Sequence, residues 1–63
     1  MLSENLKRKR EEKGYSQEKL AQLCGITRNT ISFIEVERVT EPNIKTLKLL
    51  ANALDTTVQE LIK

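Results

Sequence analysis

The stretch Ser16–Glu35, SQEKLAQLCGITRNTISFIE, decides how the rest of the chain is read. Two short helical patterns meet there at Gly25, too close together for anything but a sharp turn between them. Ser16 and Thr27 are each a favoured N-cap, because a side-chain oxygen at that position accepts a backbone N–H that a helix start leaves unpaired. Tyr15 with Leu20, and Ile26 with Ile31, put apolar residues just before each cap and at the fourth helical position. That pairing is the hydrophobic staple, and it fixes the angle at which the chain enters a helix.

The first pattern offers Leu20, Ala21, Leu23 and Cys24 as its apolar positions and stops at Gly25, the residue best able to adopt the left-handed conformation past a helix end. The second buries Ile31 and Ile34 on one side, which directs Arg28, Asn29, Ser32 and Phe33 largely away from the core. For Phe33 the inward orientation stays open, since it is the only phenylalanine available to fill a core. Arg28 and Asn29, taken on their own, read equally well as ordinary polar surface.

These residues resemble the helix-turn-helix of the phage repressor and Cro family of DNA-binding domains, in which the second helix enters the major groove. The matching positions are Gln17 opening the first helix, small Ala21 where the helices cross, Gly25 at the turn, Ile26 after it, and Ile31 and Ile34 beneath the second helix. Glu35 stands at the usual acidic position. The similarity extends along nearly all 63 residues, with the motif itself at about 17–36. It implies a single all-α, five-helix domain over residues 1–63, with the motif formed by helices 2 and 3.

Composition agrees with a domain of that size. A chain of 63 residues builds one small core, here from 38% hydrophobic residues with few aromatics. The single Cys24 has no disulfide partner and there is no His, so neither a zinc site nor any other metal or cofactor site is expected. Cys24 itself reads as a small packing residue. A reducing, cytoplasmic setting is the simplest expectation. The longest apolar run, Leu49-Leu50-Ala51, is far too short to span a membrane. A net charge of +2 neither demands nor excludes a nucleic acid, because what matters is whether the positive charge gathers on one surface. Lys7-Arg8-Lys9-Arg10 are consecutive, but four consecutive helical residues spread around the circumference, so the run reads first as a solvated face.

Outside the motif, Met1 to Lys13 reads as the first helix, with Ser3 as candidate cap and Glu4 favourable to the helix dipole. Leu2, Leu6 and Arg10 share one stripe. An arginine there either snorkels to water or has a partner inside. The resemblance implies the partner, because related domains pair an arginine at this position with the glutamate that closes the recognition helix; here those residues are Arg10 and Glu35. Past Glu35, Val36-Glu37-Arg38-Val39-Thr40-Glu41-Pro42 lacks helical periodicity and departs from the family, which usually has a glycine and several basic residues there. Either helix 3 runs on for part of a turn, or this loop sits farther from DNA than in relatives. Asn43 then caps a helix with Ile44, Leu47, Leu50, Ala51 and Leu54 at helical spacing. Asp55, where relatives often have glycine, tolerates the left-handed conformation. Thr57 with Glu60 reads as a capping box before a last helix with Val58, Leu61 and Ile62 inward.

The resemblance implies a transcriptional regulator, of repressor type, that binds double-stranded DNA as a homodimer on a two-fold symmetric operator. Arg28, Asn29, Ser32 and Phe33 stand where relatives read bases, and the chemistry suits them: Arg pairs with guanine O6 and N7, Asn with adenine N6 and N7, and Phe packs on a thymine methyl. Phosphate contacts are expected from Ser16, Gln17 and Thr27 at the helix starts, and from Arg38, Asn43 and Lys45 on the far side. The dimer surface is not legible; Val36, Val39, Ile44, Leu61 and Ile62 are all candidates. The competing reading is a protein-interaction module with the same fold, such as an antitoxin-like subunit, favoured by acidic Glu37 and Glu41. An enzyme fits poorly, since no nucleophile has a base beside it, and no residue pattern points to a small-molecule ligand.

Overall fold

Five helices follow one another without a strand in the computed structural model, which describes all residues from Met1 to Lys63. They are α1 (Leu2–Glu12), α2 (Gln17–Cys24), α3 (Arg28–Glu35), α4 (Ile44–Ala53) and α5 (Val58–Ile62). Short polar side chains start four of them. Ser16 Oγ accepts from the Lys19 N–H at 3.0 Å, and Thr27 Oγ1 from the Thr30 N–H at 3.3 Å. Asn43 Oδ1 accepts from the Thr46 N–H at 2.8 Å, and Thr57 Oγ1 from the Glu60 N–H at 3.1 Å. Each such cap stabilises its helix by about 1 kcal/mol.

The helix ends are equally uniform. After α2, Gly25 takes φ +71, Ile26 N–H donates to the Ala21 carbonyl and Gly25 N–H to that of Gln22. This crossed pair satisfies two carbonyls that the helix end would otherwise expose, and it needs one left-handed residue. The same closure follows α3 and α4, but there Glu37 (φ +63) and Asp55 (φ +55) occupy the left-handed position. So α3 does not run on past Glu35; a non-glycine residue bends the chain instead.

One apolar stripe from each helix meets in a single core: Leu2 and Leu6 of α1, Leu20, Ala21 and Cys24 of α2, Ile31 and Ile34 of α3, Leu47, Leu50 and Ala51 of α4 with Leu54 after it, and Leu61 of α5. Burying one such Leu or Ile contributes about 1.5–3 kcal/mol. Tyr15 and Ile26, the outer halves of the two staples, are half-buried against the same cluster. α3 packs on α1 and α2, α4 packs on α2 and α5, and α5 returns to α1. Asn5 Nδ2 ties that last contact by donating to the Leu61 carbonyl at 2.9 Å, and the Met1 ammonium donates to the Lys63 carbonyl at 2.9 Å.

Four side chains differ from their sequence reading. Ser3 does not cap α1: the helix begins at Leu2, and Ser3 lies buried in its first turn. Leu23 is exposed, because at about 100° per residue it falls outside the arc that Leu20, Ala21 and Cys24 define. Ile44 is 57% exposed, since a side chain in the first turn points past the helix start and beyond the reach of the neighbouring helices. Ile62 is exposed because so short a helix turns one position, Leu61, fully inward. The capping box at α5 is half-formed as well: Thr57 accepts from Glu60, whereas the Glu60 carboxylate lies 3.8 Å from Lys63 Nζ.

Candidate nucleic-acid interface

α3 is seated on its two isoleucines. Ile31 and Ile34 are fully buried, and that fixes the opposite side of the helix toward solvent. Arg28 and Asn29 stand exposed in its first turn, Ser32 is half-buried one turn on, and Phe33 is 40% exposed. The ring therefore faces outward, which settles its orientation. Arg38 lies over it, with the guanidinium carbon 5.8 Å from the ring centroid. That distance is within the range over which a cation is drawn to an aromatic face.

The other end of α3 is anchored by a charged cluster. Arg10 Nε donates to Glu35 Oε2 at 2.7 Å, Arg10 Nη2 donates to Oε1 at 3.1 Å, and Nη1 donates to the Tyr15 carbonyl at 2.7 Å. Gln17 Nε2 adds a third donor to the carboxylate, at 3.0 Å from Oε1. The hydrogen bonds that Arg10 donates to Glu35 hold its guanidinium above its already high pKa, against the opposing effect of burial. With all three guanidinium nitrogens and both carboxylate oxygens engaged, the cluster joins α1, the start of α2 and the end of α3, and no buried side-chain polar atom is left unpaired.

Around this helix lie the groups that the sequence marks for an anion. Ser16, Thr27 and Asn43 all act as caps through an acceptor oxygen, and the donor hydrogens of Ser16 and the Asn43 amide remain unengaged. Thr27 Oγ1 also lies 3.0 Å from Thr30 Oγ1, so one of these two hydroxyls donates to the other. The Gln17 amide is turned toward Glu35, so at the start of α2 the groups directed outward are the backbone N–H groups of the first turn. Lys45, in the first turn of α4, is exposed, as is Arg38. Glu37 and Glu41 stand exposed in the α3–α4 connection with the sign that repels phosphate.

Three relationships lie beyond the sequence reading. The Phe33–Arg38 stack depends on a left-handed turn at Glu37 for which the sequence supplies no glycine, and the Gln17–Glu35 bond depends on how closely α2 approaches the end of α3. Lys13 and Asp55 also pair, joining the end of α1 to the α4–α5 turn. No cluster of three or more His, Cys, Asp or Glu converges to hold a metal ion. No helix is long and apolar enough to cross a membrane.

A short helix, a left-handed glycine turn and a second helix exposing a polar ridge define a helix-turn-helix domain. The chain belongs to the helix-turn-helix family, whose model matches residues 6–61. It is 41% identical over 63 residues to YonR, an uncharacterised HTH-type transcriptional regulator derived from the SPbeta prophage of Bacillus subtilis (strain 168), covering 100% of this chain and 57% of YonR. Among solved structures it is similar to SinR, the master regulator for biofilm formation, in complex with DNA, with TM-score 0.95, 35% identity and full coverage of both chains. It is also similar to the complex of SinR with SinI, at TM-score 0.94 and 35% identity, covering 100% of this chain and 61% of that one. The chain spans a little over half the length of the curated regulators it matches.

Proposed function

We propose that this domain binds double-stranded DNA in a sequence-specific manner as part of a transcriptional regulator, a repressor in its simplest form, with α3 in the major groove. The observation that carries this is the exposed ridge of Arg28 and Asn29 above buried Ile31 and Ile34, on a scaffold similar to that of SinR in its DNA complex. In this reading Arg28 takes guanine, Asn29 takes adenine, Phe33 packs on a thymine methyl and Ser32 bonds to a base edge or a phosphate. Phosphates on one side meet Ser16, Thr27 and the first N–H groups of α2, with the second amide hydrogen of Gln17; on the other they meet Arg38, Asn43 and Lys45. Sequence is then read by α3 alone, and position along the duplex is set by the helix starts around it.

One such module contacts too few base pairs for a unique address. A homodimer on a two-fold operator supplies two half-sites about 34–36 Å apart on one face of the duplex. The backbone measures 22 Å along its longest axis, narrow enough for two domains to sit side by side at that spacing. A regulator of this kind works beside the genome, in a bacterial or phage-infected cytoplasm, and needs no cofactor or catalytic group.

Selection of bound duplexes from a random library tests the proposal and returns the site, its symmetry and the half-site spacing together. Affinity for the selected site should fall steeply with salt, since each neutralised phosphate releases counterions. Absence of any salt-sensitive association with duplex would refute it. The second reading, a module that binds a partner protein, is favoured by one observation. Exposed Met1 and Val39 line a pocket of about 130 Å³ beside the end of α3, together with buried Ile34 and exposed Glu37. Association with protein but with no duplex at low salt would select that reading.

A further inference from the structure

Arg38 lies outside every helix, yet its backbone and its side chain both return to Phe33. The Arg38 N–H donates to the Phe33 carbonyl at 2.8 Å, and the Val39 N–H donates to the same oxygen at 3.1 Å. This return requires the left-handed conformation that Glu37 adopts, at φ +63. Such a conformation is costly for a residue with a Cβ and persists only where the surroundings enforce it. The fold thus accepts strain at Glu37, and the outcome is a guanidinium laid 5.8 Å from the centre of an exposed ring.

A phenylalanine alone on a solvent-facing helix turn has several rotamers open to it. A cation held against one face by the backbone restricts it to one and leaves the rest of the ring as an apolar surface among polar neighbours. In the major groove the apolar group presented by the bases is the C5-methyl of thymine. We infer that Arg38 is a positioning residue that acts through Phe33, orienting the ring to receive a pyrimidine C5-methyl group and so to select thymine at one base pair of each half-site. The inference rests on the DNA-binding function proposed above and adds a selectivity that a phosphate contact from Arg38 would not give.

Deoxyuridine, which pairs as thymidine does but lacks the methyl, is the direct probe. The duplex selected by the wild-type chain is synthesised with each thymidine replaced in turn by deoxyuridine. Wild-type affinity should fall at one position per half-site by about fourfold, the factor that burial of one methyl group supplies. Phe33→Ala should remove the difference between the two duplexes. Arg38→Ala should reduce that difference to less than about twofold, and Arg38→Lys, which keeps a cation for the ring, should restore part of it. In the free protein, the side-chain protons of Arg38 should show an upfield ring-current shift that Phe33→Ala abolishes. Arg38 is exposed, so its variants should keep the wild-type melting transition, which confirms that they are folded. If Arg38→Ala weakens the thymidine and deoxyuridine duplexes by the same factor, Arg38 holds phosphate alone and the inference fails. It fails by itself if the wild type binds its duplex with no thymine-methyl effect at any position; if no duplex binds at all, the DNA-binding proposal falls with it.

Discussion

Arg10 and Glu35 face each other across two parallel hydrogen bonds of 2.7 and 3.1 Å, with side chains 11% and 4% exposed. Taking two ions this far out of water is costly, and their attraction offsets that cost only while both are present and well hydrogen-bonded. Removing one member strands the other. Arg10→Met and Glu35→Gln should each destabilise by about 3–5 kcal/mol, and the double variant by clearly less than the two losses added. A domain of this size is stable by only a few kcal/mol, so denaturant titrations belong at low temperature. Simple additivity would mean that the two residues do not act as a pair in solution.

That pair also marks where local sequence signals end. The caps at Ser16, Thr27, Asn43 and Thr57, the turn at Gly25 and the inward faces of α3 and α4 were legible because each depends on residues within a turn or two of one another. Leu23, Ile44 and Ile62 were misread because periodicity places a residue on a face without saying how far a neighbouring helix extends over it. Ser3 has cap chemistry, but the stripe of Leu2, Leu6 and Arg10 draws the helix start two residues earlier than a Ser3 cap allows. For Arg10, the stripe alone favoured a head group that snorkels to water; the partner, Glu35, entered through family resemblance. The candidate site divides in the same way. The exposed face of α3 follows from its two isoleucines, whereas the Gln17–Glu35 bond and the Phe33–Arg38 stack depend on contacts between segments that no spacing encodes.

Arg28 and Lys45 should separate base reading from phosphate holding. Both are exposed, so neither substitution should change the melting transition appreciably. Arg28→Ala should cost roughly 1–3 kcal/mol on the selected site and relax the preference at one base pair. Lys45→Ala should weaken all duplexes alike and lower the salt slope by about one. Repeating the library selection with both variants checks this. The same altered base preference from both would show that the two residues do not divide the work.

Cys24 should make stability fall with alkali. Burial raises its thiol pKa above the ordinary value of 9.0, so the folded state favours the neutral form more than the unfolded chain does. Its contribution is fully present below pH 9.0 and is lost as pH rises through the folded-state pKa. Lys13, raised first by its hydrogen bond to Asp55, acts in the same direction only above its ordinary value of 10.5. Denaturant midpoints of the wild type should therefore decline from about pH 9, while those of Cys24→Ala, lower overall because of the cavity, should stay flat until near the lysine range. Parallel curves for the two proteins over this interval would show that the thiol is not shielded in the folded state.

Gly25 and Glu37 occupy the same left-handed position at the ends of α2 and α3, with φ of +71 and +63, yet only one of them is glycine. A Cβ added at Gly25 meets nothing within 4 Å, so the cost of Gly25→Ala is backbone strain alone. That strain is about 1–2 kcal/mol, reduced by the entropy that alanine removes from the unfolded chain. Glu37→Gly reverses both terms, and relief of strain exceeds the added unfolded-state entropy by about 0.5–1 kcal/mol. For a domain this small, the melting temperature should drop by several degrees in Gly25→Ala and rise by several in Glu37→Gly. The loop variant also removes a negative charge beside α3, so its affinity for duplexes of unrelated sequence should rise. A Glu37→Gly protein that melts below the wild type would mean that the Glu37 side chain contributes a contact outweighing the strain of its own backbone.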